Sequence, residues 1–336
     1  MKVNLKAIAD SLNLSISTVS KALNNSHEIS TVTKKRVIAK AKEHNYQANP
    51  LARALRNNKS YTIAIVFPEI DNNFFSLIIK GVENVAHNKK YNILIYPTNE
   101  SYKREKSSLA LLGNGRVDGV MISLSSETKE TSHIEALIKE NTPIVLFDRV
   151  NDKIQLPKVV TDDYESAFKA TKYLLDGDCR RIAFLSFSKH LYINKKRVNG
   201  YRDAYLKTNI LPDPGLVISC GNNDQKNKET ILNLLKFNRP DAIVASVEKL
   251  IAPCYDSCKK LNIKIPDDIK LIGYSNSQIA EFLNPSLSTI VQPAFEMGKE
   301  AASILFKLID KKYRKPEPQS VVLSSEIFIR DSTTAM

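Results

Sequence analysis

The stretch Leu5-Lys6-Ala7-Ile8-Ala9-Asp10-Ser11-Leu12-Asn13-Leu14-Ser15-Ile16-Ser17-Thr18-Val19-Ser20-Lys21-Ala22-Leu23-Asn24 sets the reading of the whole chain. Leu5, Ile8, Ala9 and Leu12 recur at helical spacing until Asn13-Leu14 interrupts them. Ser15 is placed to cap a second helix whose inward face is Val19, Ala22 and Leu23, and Asn24-Asn25-Ser26 ends it. Ser30 starts a third, with Val37, Ala41 and Ile38 turned inward and Tyr46 closing the bundle. Two helices joined by a short turn, with a third in support and no strand signal, make residues 1–48 a helix-turn-helix candidate. The packing face leaves Ile16, Ser17, Ser20 and Lys21 on the opposite side of the second helix.

Downstream, Pro50 suits the first position of a short helix capped by Asn49 and continuing through Leu51-Ala52-Arg53-Ala54-Leu55-Arg56. A helix of seven residues is marginal alone and needs a partner to order it. Asn57-Asn58-Lys59-Ser60 then reads as a polar linker, so residues 49–60 form a hinge segment.

From Tyr61 the texture changes to short β-branched runs alternating with helices. Ile63–Phe67, Ile93–Tyr96, Val117–Ile122 and Ile144–Phe147 form one group; Ile182–Ser186, Leu216–Cys220, Ala242–Ser246 and Leu271–Tyr274 form another. Amphipathic helices such as Ser166–Asp176 and Lys249–Leu261 follow them, the pattern of helix-covered parallel sheets. Eight strands could close a barrel. The long polar segment Asp148–Val160 between the groups favours two doubly wound lobes instead. The expected fold class is α/β, with a first lobe of about 61–160 plus 293–320 and a second of about 161–290 plus 321–330. Val321–Ile329 is expected as one last strand before a polar tail.

The chain has 336 residues, which at about 150 per domain leaves a few dozen beyond two lobes. Its formal net charge of +13 is unevenly placed. Residues 1–60 hold 11 Lys and Arg against 3 Asp and Glu, a net of +8, and the other 276 residues carry only +5. A compact basic module on a near-neutral body points to a polyanion: DNA, RNA or an anionic membrane surface. No run of 18 apolar residues could span a bilayer, and Met1-Lys2-Val3-Asn4-Leu5-Lys6 lacks a signal-peptide core, so a cytoplasmic protein without a membrane partner is expected. Cys179, Cys220, Cys254 and Cys258 are too scattered for a disulfide framework, and the last two lack zinc-ligand spacing. No metal or cofactor is expected. G-x-S-x-G, P-loop and H-E-x-x-H motifs are absent, and Gly113-Asn114-Gly115 precedes a strand rather than following one, so no enzyme is expected.

The headpiece run quoted above, with Thr33–Val37, Asn45-Tyr46 and Asn49-Pro50-Leu51-Ala52, resembles the LacI/GalR family of bacterial transcriptional regulators. The resemblance extends over essentially the whole chain, because residues 61–330 are similar to that family's periplasmic-binding-protein-like core. It implies an effector-responsive homodimer, expected to be a repressor, on a pseudo-palindromic double-stranded DNA operator. It also implies that Ile16, Ser17, Ser20 and Lys21 face the major groove, where lysine can donate to guanine O6/N7 but lacks arginine's planar fork. Thr18, Asn24 and Ser30, together with Lys34, Lys35 and Arg36, are candidates for phosphate contacts. Paired hinge helices would lie in the minor groove, with Leu55 wedged between base pairs and Arg53 and Arg56 beside it. The six polar or small residues after Arg330 include no added amphipathic helix, which in this resemblance implies a dimer rather than a tetramer.

The effector pocket should lie between the lobes at the carboxyl ends of the strands. Candidates there are Asp71, Phe74, Phe75, Asn99, Ser123 and Asp148, then Arg197 of an Arg-x-x-Gly motif, Glu248, Ser275, Asn276 and Gln292. The resemblance implies a sugar or sugar derivative. Where many relatives have Asn-Asp this chain has Val247-Glu248, and where sugar binders often have Asp-Asp it has Ser275-Asn276, which shifts expectation toward an acidic sugar or sugar phosphate. Two rival readings are a sugar-active enzyme with a basic accessory module and a nonspecific architectural DNA binder using Leu55 as its wedge.

Overall fold

The structure, a computed structural model, describes residues 5–44, 46, 59–188, 190–310 and 319–334. It divides into a unit of residues 1–60 and a unit of residues 61–336.

The small unit contains α1 (Leu5–Leu12), α2 (Ile16–Leu23) and α3 (Thr31–Glu43). Asn13 turns the chain between α1 and α2 at φ 54°, a left-handed conformation that its short polar side chain tolerates. Ser15 Oγ accepts from Thr18 N at 3.1 Å and Ser30 Oγ from Thr33 N at 3.2 Å, so both expected caps satisfy helix-end donors. Ile8, Ala9, Val19, Ala22, Val37 and Ala41 form the core, with Leu5, Leu12, Leu14, Leu23, Ile29 and Tyr46 packed against it. Ile38 is not part of it. One helical step from Val37, it faces outward and is 54% exposed.

The large unit begins β1 (Thr62–Phe67), α4 (Asn73–Asn88), β2 (Asn92–Pro97), α5 (Tyr102–Leu112), β3 (Gly119–Ile122), α6 (Ser132–Lys139), β4 (Ile144–Phe147) and β5 (Lys158–Thr161). It continues with α7 (Asp163–Asp176), β6 (Ile182–Phe187), α8 (Tyr192–Lys207), β7 (Val217–Cys220), α9 (Asp224–Asn233), β8 (Ala242–Ala245), α10 (Ile251–Lys260), β9 (Lys270–Tyr274) and β10 (Ser288–Val291). It closes with α11 (Ala294–Asp310), β11 (Ser320–Leu323) and β12 (Glu326–Phe328). Two six-stranded sheets result, ordered β11-β5-β4-β3-β1-β2 and β12-β10-β9-β8-β6-β7. Apart from the antiparallel β10–β12 pair, neighbouring strands run parallel, and apolar clusters cover both faces of each sheet. These are two open doubly wound lobes, not a barrel.

Differences from the sequence reading fall at the chain's passages between lobes, including the unexpected β10 before Gln292, and in its last segment. The polar segment before residue 160 ends in β5, whose Val159 and Val160 are buried. Residues 321–329 are not one strand of the second lobe. Ser324 and Ser325 break the run, so β11 pairs with β5 in the first sheet and β12 with β10 in the second. Nor is the segment after Arg330 a free polar tail: Ser332 Oγ donates to Leu271 O at 2.6 Å and accepts from Ser288 N at 2.8 Å. The three passages are stitched together, with Gln292 Nε2 donating to Thr161 Oγ1 at 2.9 Å and Ser325 N to Asp162 Oδ1 at 2.8 Å.

All four cysteines are free and buried, and burial pushes the Cys179, Cys220 and Cys258 thiols up to about 11. They pack as small apolar groups rather than nucleophiles.

Candidate functional site

On α2, Ile16, Ser17 and Lys21 are exposed and Ser20 is half-buried, while Val19 and Ala22 anchor the helix to the core. The exposed face is therefore held by the packed one. Ser15 Oγ lies 2.8 Å from both Ser17 Oγ and Thr18 Oγ1, fixing the hydroxyls at the helix start. Lys21 is ion-paired with Glu28 from the loop before α3. Asn24 Nδ2 donates to Ser20 O at 2.5 Å, and Ser30 Oγ lies 2.9 Å from Thr33 Oγ1. Arg53, Leu55 and Arg56 lie outside the described residues.

In the large unit, the carboxyl ends of the strands of both lobes face one cleft. Eight of the expected residues line its inner cavity: Phe74, Phe75, Asp148, Arg197, Glu248, Ser275, Asn276 and Gln292. Asp71 and Asn99 line only a wider outer cavity of about 980 Å³, to which Glu248 and Ser275 also contribute. Ser123 is fully buried beneath Asp148 and donates to its Oδ2 at 3.4 Å, so it supports the wall without lining it. Asn72, Arg149, Ile193, Val247 and Tyr274 complete the inner lining.

Two arginines organise that lining. Arg197 is buried on α8, with Nε and Nη2 both 2.7 Å from Asp163 Oδ1 and Nη1 donating to Ser246 O. Its guanidinium lies 3.7 Å from the Tyr274 ring centroid. Arg149 Nη1 donates to Glu100 Oε1 at 2.6 Å, and its Nε, 3.8 Å from Asp148 Oδ2, is buried without a hydrogen-bond partner. Burial pushes the Asp148 carboxyl up to about 6, against the opposing pull of Arg149. Since this lies above the ordinary value of about 3.9, Asp148's contribution to stability is full below that value and is lost as pH rises through 6. At neutral pH the wall holds a buried carboxylate with weak compensation.

Among the described residues, three polar side-chain contacts hold the lobes together across the cleft. Lys249 Nζ meets Glu69 Oε1 at 2.8 Å while lying 4.1 Å from the Phe187 ring centroid. Asn222 Nδ2 donates to Ser126 Oγ at 3.1 Å, and Asn73 Nδ2 to Asn276 O at 2.5 Å. The inner cavity they close has a volume of about 40 Å³, room for a few waters and not for a sugar ring. Tyr274 and Asp163 escaped the sequence reading. Tyr274 carried a visible signal, standing at the end of a strand immediately before Ser275. Asp163 follows β5, a four-residue strand whose polar start hides it in the sequence. Among the described residues, no group of three His, Cys, Asp or Glu is arranged to hold a metal, and no helix is long and apolar enough to cross a membrane.

Comparison with known proteins converges on the same assembly. Residues 4–49 match the bacterial regulatory proteins of the lacI family, and residues 171–333 match the periplasmic binding protein-like domain. The chain is 29% identical to the HTH-type transcriptional regulator DegA of Bacillus subtilis, across 100% of this chain and 99% of that one. It belongs to the LacI/GalR family. Catabolite control protein A of Priestia megaterium is 27% identical over 99% of this LacI/GalR chain and 100% of its own. The solved lac repressor dimer, bound to operator and the anti-inducer ONPF, superposes with a TM-score of 0.86 over the full length of both chains. At 18% identity that likeness speaks for the fold alone. The chain is accordingly a LacI-family DNA-binding transcriptional regulator.

Proposed function

We propose that this LacI-family regulator acts as a cytoplasmic, non-enzymatic repressor, binding a pseudo-palindromic operator as a homodimer and responding to a small hydroxylated effector in the interlobe cleft. The observation carrying this reading is one chain that joins a rigidly backed, outward-facing helix to a two-lobed cleft lined by polar groups at strand ends. Ile16 meets a thymine methyl, Ser17 and Ser20 bond bases or phosphates, and Lys21 exchanges Glu28 for guanine. Thr18, Asn24 and Ser30 support the phosphate register, and Arg53, Leu55 and Arg56 act in the minor groove at the operator centre. DegA is named as a transcriptional regulator, and the lac repressor structure is a dimer bound to both operator and an anti-inducer.

In the cleft, a ring-sized ligand fills the inner cavity only if the lobes part. Effector binding thus competes with the Glu69–Lys249, Ser126–Asn222 and Asn73–Asn276 contacts, and it alters operator affinity because it binds the two lobe arrangements unequally.

Lys21→Gln tests the DNA side. On the preferred operator its affinity should fall roughly tenfold or more, and the logarithmic salt slope should shrink by about one. Fluorescence anisotropy across a salt series reads both. Unchanged affinity and slope would remove Lys21 from the interface.

A further inference from the structure

The charges around the cleft do not balance. Among the described residues three cations line the inner and outer cavities, Arg149, Arg197 and Lys249, and each already has a carboxylate partner. Arg149 holds Glu100 at 2.6 Å, Arg197 holds Asp163 at 2.7 Å, and Lys249 holds Glu69 at 2.8 Å. Arg197 also spends Nη1 on the Ser246 carbonyl and lays its face on Tyr274. Among the described residues, the one buried cationic N–H without a hydrogen-bond partner, Arg149 Nε, already faces Asp148 at 3.8 Å, so an incoming carboxylate or phosphate would meet that carboxylate there or have to displace one of these pairs.

Two carboxylates are left over in the inner cavity. Asp148 is 4% exposed, yet its closest side-chain donor is Ser123 Oγ at 3.4 Å and its closest cation is Arg149 Nε at 3.8 Å. Both distances exceed those of a strong charge-assisted hydrogen bond. Glu248 Oε2 accepts from Ser275 Oγ at 2.9 Å and Asn276 N at 3.2 Å, neutral donors that leave its charge uncompensated. Phe74 and Phe75 in the same wall add apolar ring surface, while the Tyr274 ring carries Arg197 on one face. The lining therefore lacks a cation with donors to give, beside surfaces on which a ring can lie.

We infer that the cleft takes an amine-bearing, hydroxylated effector of the amino-sugar class, its ammonium group held by Asp148 and Glu248, and that it discriminates against sugar acids and sugar phosphates. This rests on the reading of the cleft as the effector site, and it reverses the expectation drawn from Ser275-Asn276, because the lost acid of that motif is replaced in space by Glu248. The raised pKa of Asp148 agrees with it, since a bound ammonium supplies the compensation that a proton otherwise supplies.

Calorimetry on the full chain at pH 6.5 tests it with glucosamine, galactosamine and mannosamine, their parent hexoses, glucuronate, galacturonate and glucose 6-phosphate. At least one amino sugar should bind ten or more times tighter than its parent hexose, with no binding by the anions. Asp148→Asn and Glu248→Gln should each cut that preference to below about threefold; both keep the shape of the side chain and remove a poorly compensated charge, so folding should survive. Tighter binding by a hexose or an anion, or no binding by any amino sugar, overturns the inference. Val247→Trp, which fills the inner cavity, then separates the two claims. If it abolishes binding of the preferred hexose or anion, the cleft is the effector site and only the charge class is wrong. If binding survives it, or if none of these sugars binds, the effector-site reading loses its support as well.

Discussion

Gly298→Val should destabilise the two-lobed unit by roughly 3 kcal/mol or more, lowering its melting temperature by about 6–12 °C. Helices α4 and α11 cross in direct backbone contact at this point. A Cβ on Gly298 would stand 2.1 Å from the Ile78 carbonyl oxygen, and one on Gly81 2.1 Å from the Phe295 carbonyl oxygen. Neither neighbour is a side chain that can turn away, so the helices must separate. That separation would loosen Phe75, Ile78, Met297 and Ala301 together, because all sit in the cluster between these helices and the first sheet. Gly200, with Tyr164 O at 2.2 Å from its would-be Cβ, forms the matching close approach of α7 and α8 in the second lobe. Thermal melting followed by circular dichroism checks the prediction, and a fall of less than 2 °C would mean that the helices are not so closely apposed.

Arg197→Ala should cost about 3–5 kcal/mol, because it removes the cation that compensates the buried Asp163 carboxyl and leaves only the Thr161 hydroxyl, at 3.4 Å, as a side-chain donor. The same substitution removes the guanidinium that covers Tyr274 in the cavity wall, so effector binding should be lost with stability. Removing both charges by Arg197→Met with Asp163→Leu should recover most of the stability and none of the ligand response, since the desolvated charge is then gone while the polar wall is not restored. Denaturant unfolding beside calorimetry separates these effects. A single Arg197→Ala variant as stable as the parent chain would show that the ion pair is not the buried one described.

How much of this was legible in the sequence depended on how local each signal is. Val19, Ala22, Val37 and Ala41 fall at helical spacing, and Ser15 and Ser30 precede their helices, so the headpiece reads directly. The eight expected strands, apolar along most of their length and nearly all followed by a helical segment, read equally well. Four-residue strands at the passages between lobes did not: Lys158–Thr161 looks polar at its start, and Val321–Ile329 looks continuous until two serines send its halves to different sheets. Residues at strand ends were legible as cleft candidates because the parallel fold places strand ends there, and eight of eleven line the inner cavity. What each candidate can do was not legible. That Arg197 is already occupied by Asp163, and that Asp148 is not matched, depends on neighbours 34 and 25 positions away in the chain.

The measurement that bears most directly on the account is selection of duplexes from a random-sequence pool by the full-length chain. One two-fold symmetric consensus should emerge, each half read by the α2 face of one subunit, bound about a thousandfold or more tighter than unrelated DNA. Recovery of no shared sequence, with equal affinity for consensus and random duplexes, would contradict it.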